Sequence, residues 1–212
     1  KCKDFEEKIS MQSVIYPFGE KLMGMKEFKE AVIVHYHLIF NHFMSLFSFT
    51  KLVKQKPSVW TLHDPWALTG HCVHPLDCNG WKTGCKKCPY LDRYSPLRED
   101  NASAIWNLKE STYKEIKDID IIVASEWMYD FVKASPLGKI FKNIHLIPFG
   151  IDTNVFKRRE NRKKLREQLG IKESDFVIMF RQDPQELKGM KFIVEMLKKL
   201  RVTKNVVLLT VG

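Results

Sequence analysis

Hydrophobic and polar positions fall in blocks along the chain, and the blocks read alternately as strands and helices. AVIVHYH (31–37) is a β-branched, mostly apolar run, the pattern of a strand buried on both faces. NHFMSLFSFTKLVK (41–54) sets Phe43, Leu46, Phe47 and Phe49 at near-helical spacing and ends in basic residues, which predicts a helix. SVWTLH (58–63), introduced by Pro57, is the next strand. From Asp64 to about Asp100 the periodicity stops. That stretch is rich in Gly, Pro, Cys and His, and so long an irregular segment inside a compact domain is usually functional. Order resumes with a helix over 101–118, a strand over IDIIVA (119–124) and a helix over EWMYDFVKA (126–134), with Ser125 placed to cap it. NIHLIP (143–148) is a further short strand.

FGIDTNVF (149–156) breaks the pattern, and a basic helix follows within 157–172. DFVIMF (175–180) is then a buried-type strand, QDPQELKG (182–189) a turn-rich loop, MKFIVEMLKKL (190–200) an amphipathic helix and NVVLLTV (205–211) another buried strand. Strand, loop, helix and strand in that order predict a right-handed parallel unit. The fold class is therefore α/β, with parts of two Rossmann-like domains built on parallel sheets. Residues 1–147 belong to the first domain, 148–156 form a linker, and 157–212 begin the second. Both ends read as cut, since the chain lacks an initiating Met and two strands with one helix make no complete sheet.

Composition narrows the class. Hydrophobic residues at 44% and charged residues at 28% give an ordinary globular balance. No apolar run reaches the roughly 18 residues that span a bilayer, and KCKDFEEKIS lacks the apolar stretch of a signal peptide. The formal charge is +10, and KRRENRKKLREQLGIK (157–172) holds eight basic and two acidic residues. Such a surface suits polyanions, but a solvated helix face explains it as well. No zinc finger, helix-turn-helix or aromatic RNA-binding motif accompanies it, so no nucleic-acid partner is expected.

The candidate chemistry sits in and around the long loop. Ligands of parallel sheets bind beyond the carboxyl ends of the strands, and His63 and Asp64 stand at such an end. His63 there either donates a hydrogen bond to a phosphate or sugar oxygen, oriented by Asp64, or caps the strand. His35 and His37 share one side of their strand near its carboxyl end, where packing is the simpler role. Trp106 and Trp127 read as helix-packing residues. Cys72, Cys78, Cys85 and Cys88, with His71 and His74 between them, offer ligands for a structural zinc or an iron–sulfur site. Thiol packing or disulfides are the alternatives. Without a secretion signal, metal or free thiols are favoured over disulfides, in a reducing cytoplasmic compartment.

WTLHDPWALTGHCVHPLDCNGWKTGCKKCP (60–89) resembles the HD-W-xTGxC…C…WxxGCxxCP segment of bacterial family-four retaining glycosyltransferases, enzymes of capsule, exopolysaccharide and lipopolysaccharide assembly. ASEWM (124–128) and IPFGIDTNVF (147–156) are similar to segments that follow it in the family, with Phe149 in place of the usual Asn. The resemblance covers roughly 14–212. It implies the GT-B fold, in which a nucleotide sugar binds mainly to the second domain and a glycan or lipid-linked acceptor mainly to the first. By position, His63 matches the histidine that reaches the donor sugar and its phosphate. Lys188, followed by Gly189, matches the lysine that neutralises the donor diphosphate, and Arg181 its partner arginine. Fixed cations there stabilise the charge of the leaving diphosphate. The spacing from Arg181 to Lys188 is slightly longer than in the commonest members. The resemblance further implies retention of configuration, no catalytic metal or other cofactor, and contact with the inner membrane surface. The family's N-terminal glycine-rich loop and its two donor-binding glutamates fall outside the sequence. The isolated chain is accordingly expected to be inactive alone. The rival readings are a metal-stabilised basic nucleic-acid-binding module and a non-catalytic fragment or pseudoenzyme.

Overall fold

A computed structural model of the chain describes residues 2–12, 14–93, 95–158, 160–183, 188–201 and 205–211. It divides into two compact units, 1–150 and 151–212, so the break falls inside the stretch 148–156.

The first unit is built on a four-stranded, all-parallel sheet in the order β1-β2-β3-β4, with β1 at Val34–Tyr36, β2 at Ser58–Leu62, β3 at Asp120–Val123 and β4 at Asn143–Leu146. Parallel neighbours need crossovers, and three helices supply them. They are α3 (Leu46–Val53), α4 (Ala102–Glu115) and α5 (Glu126–Ala134); two shorter helices, α1 (Cys2–Lys8) and α2 (Lys26–Glu30), precede β1. Trp60 of β2 is the centre of the core. It is 2% exposed and meets Phe49 of α3, Tyr113 of α4 and Phe141. Residues Ile105, Trp106, Lys109, Thr112 and Tyr113 form the buried face of α4, at the spacing of a helix stripe. Ser125 caps α5 by accepting from the Met128 N–H.

The helix expected over 41–54 begins only at Leu46. Asn41 and His42 take left-handed backbone angles (φ 65° and 59°), and the Ser45 hydroxyl caps the helix by accepting from the Ser48 N–H. Phe43 therefore lies outside the helix, and Phe47 faces outward; Leu46 and Phe49 are the buried pair. The opening stretch, for which no element was predicted, clamps the far end of the long loop. Ser10 Oγ accepts from the N–H groups of Arg98 and Glu99, and Asn101 Nδ2 donates to the Ile9 carbonyl.

In the second unit β5 (Phe176–Arg181) pairs in parallel with β6 (Val206–Val211), joined by a connection that includes α7 (Met190–Lys199). The basic helix α6 is shorter than expected, Arg162–Gln168. Gly170 ends it with φ 68°, and the Ile171 N–H bonds back to the Arg166 carbonyl. The two strands were expected to be buried, yet Phe176, Met179, Leu208 and Val211 are all exposed. Two strands and their helices do not provide two covered faces.

Candidate active site

The carboxyl ends of β1 and β2 bring three imidazoles together. His35 Nε2 lies 2.7 Å from Thr61 Oγ1, and His37 Nδ1 lies 2.9 Å from His63 Nε2. The rings of His35 and His37 are 4.3 Å apart, and Phe149 stacks on His63 at 5.2 Å with 27° between the planes. All three histidines are exposed. Burial, then the neighbouring His37 and His35, lowers the pKa of His63; burial and His37 lower that of His35. A neutral imidazole offers one donor and one acceptor, so this cluster can bind oxygen ligands through either role.

The hydrogen bonds of Asp64 and His63 go to different partners, that of His63 to His37. Asp64 Oδ1 accepts from the Trp66 N–H at 2.8 Å, capping the 3₁₀ turn Pro65–Leu68, with Pro65 at the first helical position. Burial pushes this carboxyl up to about 6, against the opposing pulls of that N–H and of Lys109. The signal was in the sequence, since Asp followed by Pro is a helix-start pair.

Beyond that turn the loop is held by α4. Lys109 is fully buried and donates to the carbonyl oxygens of Trp66, Thr69 (3.0 Å) and Gly70 (3.3 Å). Tyr113 donates to the Ala67 carbonyl and Trp106 to that of Trp81. Trp66, Leu68 and Trp81 are themselves buried, so the loop carries more core than its composition suggests. Burial pushes the Lys109 pKa down to about 7, while three carbonyls and the face of Trp66 favour its ammonium form.

The cysteines share this loop, and none forms a disulfide. Cys85 Sγ accepts from the Gly70 N–H and Cys78 Sγ from the Gly80 N–H, while His71 Nε2 lies 3.2 Å from Cys88 Sγ. Burial raises the pKa values of Cys72 and Cys88, and that of Cys85 to about 12. As they stand, no three or more His, Cys, Asp or Glu among the described residues form a group that could hold a metal ion.

Of the residues assigned to phosphate binding, Arg181 ends β5 and pairs with Asp183 at 3.1 Å. Lys188 is exposed, and Gly189 caps α7 in a left-handed conformation, φ 76°. Residues 184–187 of this loop lie outside the described residues. Trp106 packs as expected, whereas Trp127 is 53% exposed and stacks on His74, 5.7 Å away at 8°.

No protein-family model matches the chain. It is similar to the "Putative colanic acid biosynthesis glycosyl transferase WcaC" of Escherichia coli (strain K12). The two are 38% identical over 92 residues, which is 40% of this chain and 23% of WcaC. The match thus spans under a quarter of the length of that curated relative. Among the described residues, no helix is long and apolar enough to cross a membrane. Sequence reasoning missed two parts of this site. The His37–His63 contact needed the strand register, and the role of Lys109 needed the helix stripe Ile105, Lys109, Thr112 to be read as a buried face.

Proposed function

We propose that the chain is part of a glycosyltransferase of exopolysaccharide synthesis, transferring a sugar with retention from a nucleotide-sugar donor to a glycan or lipid-linked acceptor. The observation that carries the reading is the similarity to WcaC. The parallel α/β architecture and the exposed imidazoles at its carboxyl edge agree with it. The proposed fold is GT-B and the proposed location the cytoplasmic face of the inner membrane, where lipid-linked acceptors lie.

In the proposed reaction the bond from the sugar's anomeric carbon to the donor phosphate breaks, and the acceptor hydroxyl oxygen bonds that carbon. The hydroxyl proton leaves with the nucleoside diphosphate. His63 donates to a donor oxygen; Arg181 and Lys188, beside Gly189, offset the growing charge on the diphosphate. Asp64 acts by shaping the turn that follows His63. The proposal assigns no catalytic metal. It keeps a structural zinc on Cys72, Cys78, Cys85 and Cys88, whose side chains would have to reorient to share an ion. One zinc per chain in protein purified without chelator supports that site; metal-free protein with all five thiols titratable removes it.

The test of the function is transfer from labelled nucleotide sugars to membrane lipid extracts by the full-length protein of which this chain is part. His63→Ala should lower turnover by roughly a hundredfold with little change in melting temperature. Transfer that survives at the wild-type rate in that variant would remove His63 from the mechanism. A full-length protein that is inert and binds no nucleoside diphosphate would sink the whole reading.

A further inference from the structure

His63 is oriented by β1. The register places His35 beside Val59 and Tyr36 beside Trp60, and side chains alternate along each strand. Residues 35, 37, 61 and 63 therefore lie on one face of the pair. His35 of β1 reaches two positions past its partner, to Thr61, and His37, the residue after the strand, reaches His63. The shared offset makes the His37–His63 bond a product of strand register.

His37 is itself anchored. Trp60 Nε1 donates to the His37 carbonyl at 2.9 Å, and Trp60 is wedged in the core. With Phe149 on the face of His63 and His37 on its Nε2, Nδ1 is the ring nitrogen left for a ligand.

A neutral imidazole has one N–H, so the proton position on His63 decides what Nδ1 can do. If His63 Nε2–H donates to His37, Nδ1 is a bare acceptor. If His37 Nδ1–H donates to His63, Nδ1–H points outward as a donor. Oxygens of an ionised phosphate only accept hydrogen bonds, so with both rings neutral a phosphate-bearing ligand requires the second arrangement.

We propose that His37 is a positioning residue that donates its Nδ1–H to His63 Nε2 and thereby fixes His63 as a hydrogen-bond donor, through Nδ1, to an oxygen of a phosphate-bearing ligand. The proposal rests on the reading of His63 as a donor-contacting residue. It gives His37 the orienting part that the sequence alone suggested for Asp64, whose carboxylate is engaged with the Trp66 N–H.

The experiment is NMR of histidine ring nitrogens in the ¹⁵N-labelled full chain, with His63→Gln to assign the signals. In the wild type His63 should carry its proton on Nδ1. His37→Ala should shift the His63 tautomer toward Nε2–H, and His37→Asn, whose side-chain amide can stand in as the donor, should restore it. In the full-length protein turnover should fall roughly tenfold in His37→Ala, with a smaller change in donor KM, and recover in His37→Asn. A wild-type His63 protonated on Nε2 overturns the proposal, as does a tautomer indifferent to His37→Ala. The wild-type spectrum and His37→Asn decide the matter even if His37→Ala fails to fold. A tautomer that shifts as expected, with no transferase activity in the full-length protein, would refute the functional reading and leave the His37–His63 relation standing.

Discussion

Lys109 lies over the ring of Trp66, with its ammonium 3.7 Å from the ring centroid, and donates to the carbonyl of the same residue. One side chain of α4 thus grips both the backbone and the indole of the loop. Lys109→Met keeps the apolar stem and removes the donors to the carbonyls of Thr69 and Gly70, while that of Trp66 keeps only the 3.4 Å bonds from Thr69. A buried acceptor left unpaired costs about 1–3 kcal/mol. The expected result is a fall in stability of about that size or more. Amides of residues 66–72 should lose hydrogen-exchange protection before those of β2 and β3. Unchanged protection in that segment would show that tryptophan packing alone holds it.

Gly70 approaches the start of α4 so closely that an added Cβ would lie 2.5 Å from the Ala102 carbonyl oxygen. Backbone cannot move aside as a flexible side chain can. Gly70→Ala should destabilise by about 1–3 kcal/mol, the cost of overpacking. Gly24→Ala, whose Cβ meets nothing within 4 Å, should be close to neutral. Urea midpoints of the two variants make the comparison, and equal midpoints would contradict it.

Asp64 gives a pH signature. Its carboxyl is raised from the ordinary 3.8 to about 6, chiefly by burial, so the folded state holds the proton more tightly than the unfolded chain. The resulting stabilisation is complete below pH 3.8 and is lost as the pH rises through about 6. Asp64→Asn keeps an oxygen for the Trp66 N–H and cannot ionise. Between pH 4 and pH 6 the wild type should lose stability relative to this variant. Parallel profiles in denaturant titrations would mean that the carboxyl is not shifted.

Lys188 bears on the donor. In the full-length protein of which this chain is part, Lys188→Ala should weaken nucleoside diphosphate binding by roughly tenfold or more, since a charge-assisted contact contributes about 1.5–3 kcal/mol. Calorimetry reads this directly. An unchanged affinity would take Lys188 out of the phosphate site.

The elements most legible in the sequence were those with a local signal. β2 and β3 showed as short apolar runs, and α5 was announced by Ser125. The start of α3 was misplaced because Phe43 continued the helical spacing while the backbone at Asn41 and His42 was already left-handed. Ser45, three residues before its hydrogen-bond donor Ser48, was the better guide. The strand-end placement of His63 was readable, but its partner was not. Periodicity shows that His35 and His37 share a face; only the pairing of β1 with β2 shows which of them meets His63. Lys109 stayed hidden because a lysine on a helix ordinarily reads as solvated.

The break between Gly150 and Ile151 also separates chromophores. All five tryptophans (60, 66, 81, 106 and 127) and all six tyrosines precede it, and residues 151–212 contain only phenylalanine as an aromatic. Ultraviolet emission therefore reports on the first unit alone. The second, with Phe176, Met179, Leu208 and Val211 uncovered, should melt at lower temperature, and tryptophan fluorescence will not record it. Circular dichroism should record an early loss of ellipticity while the tryptophan emission maximum stays fixed. A stability taken from fluorescence would describe the histidine edge and its loop and say nothing of the strand that carries Arg181.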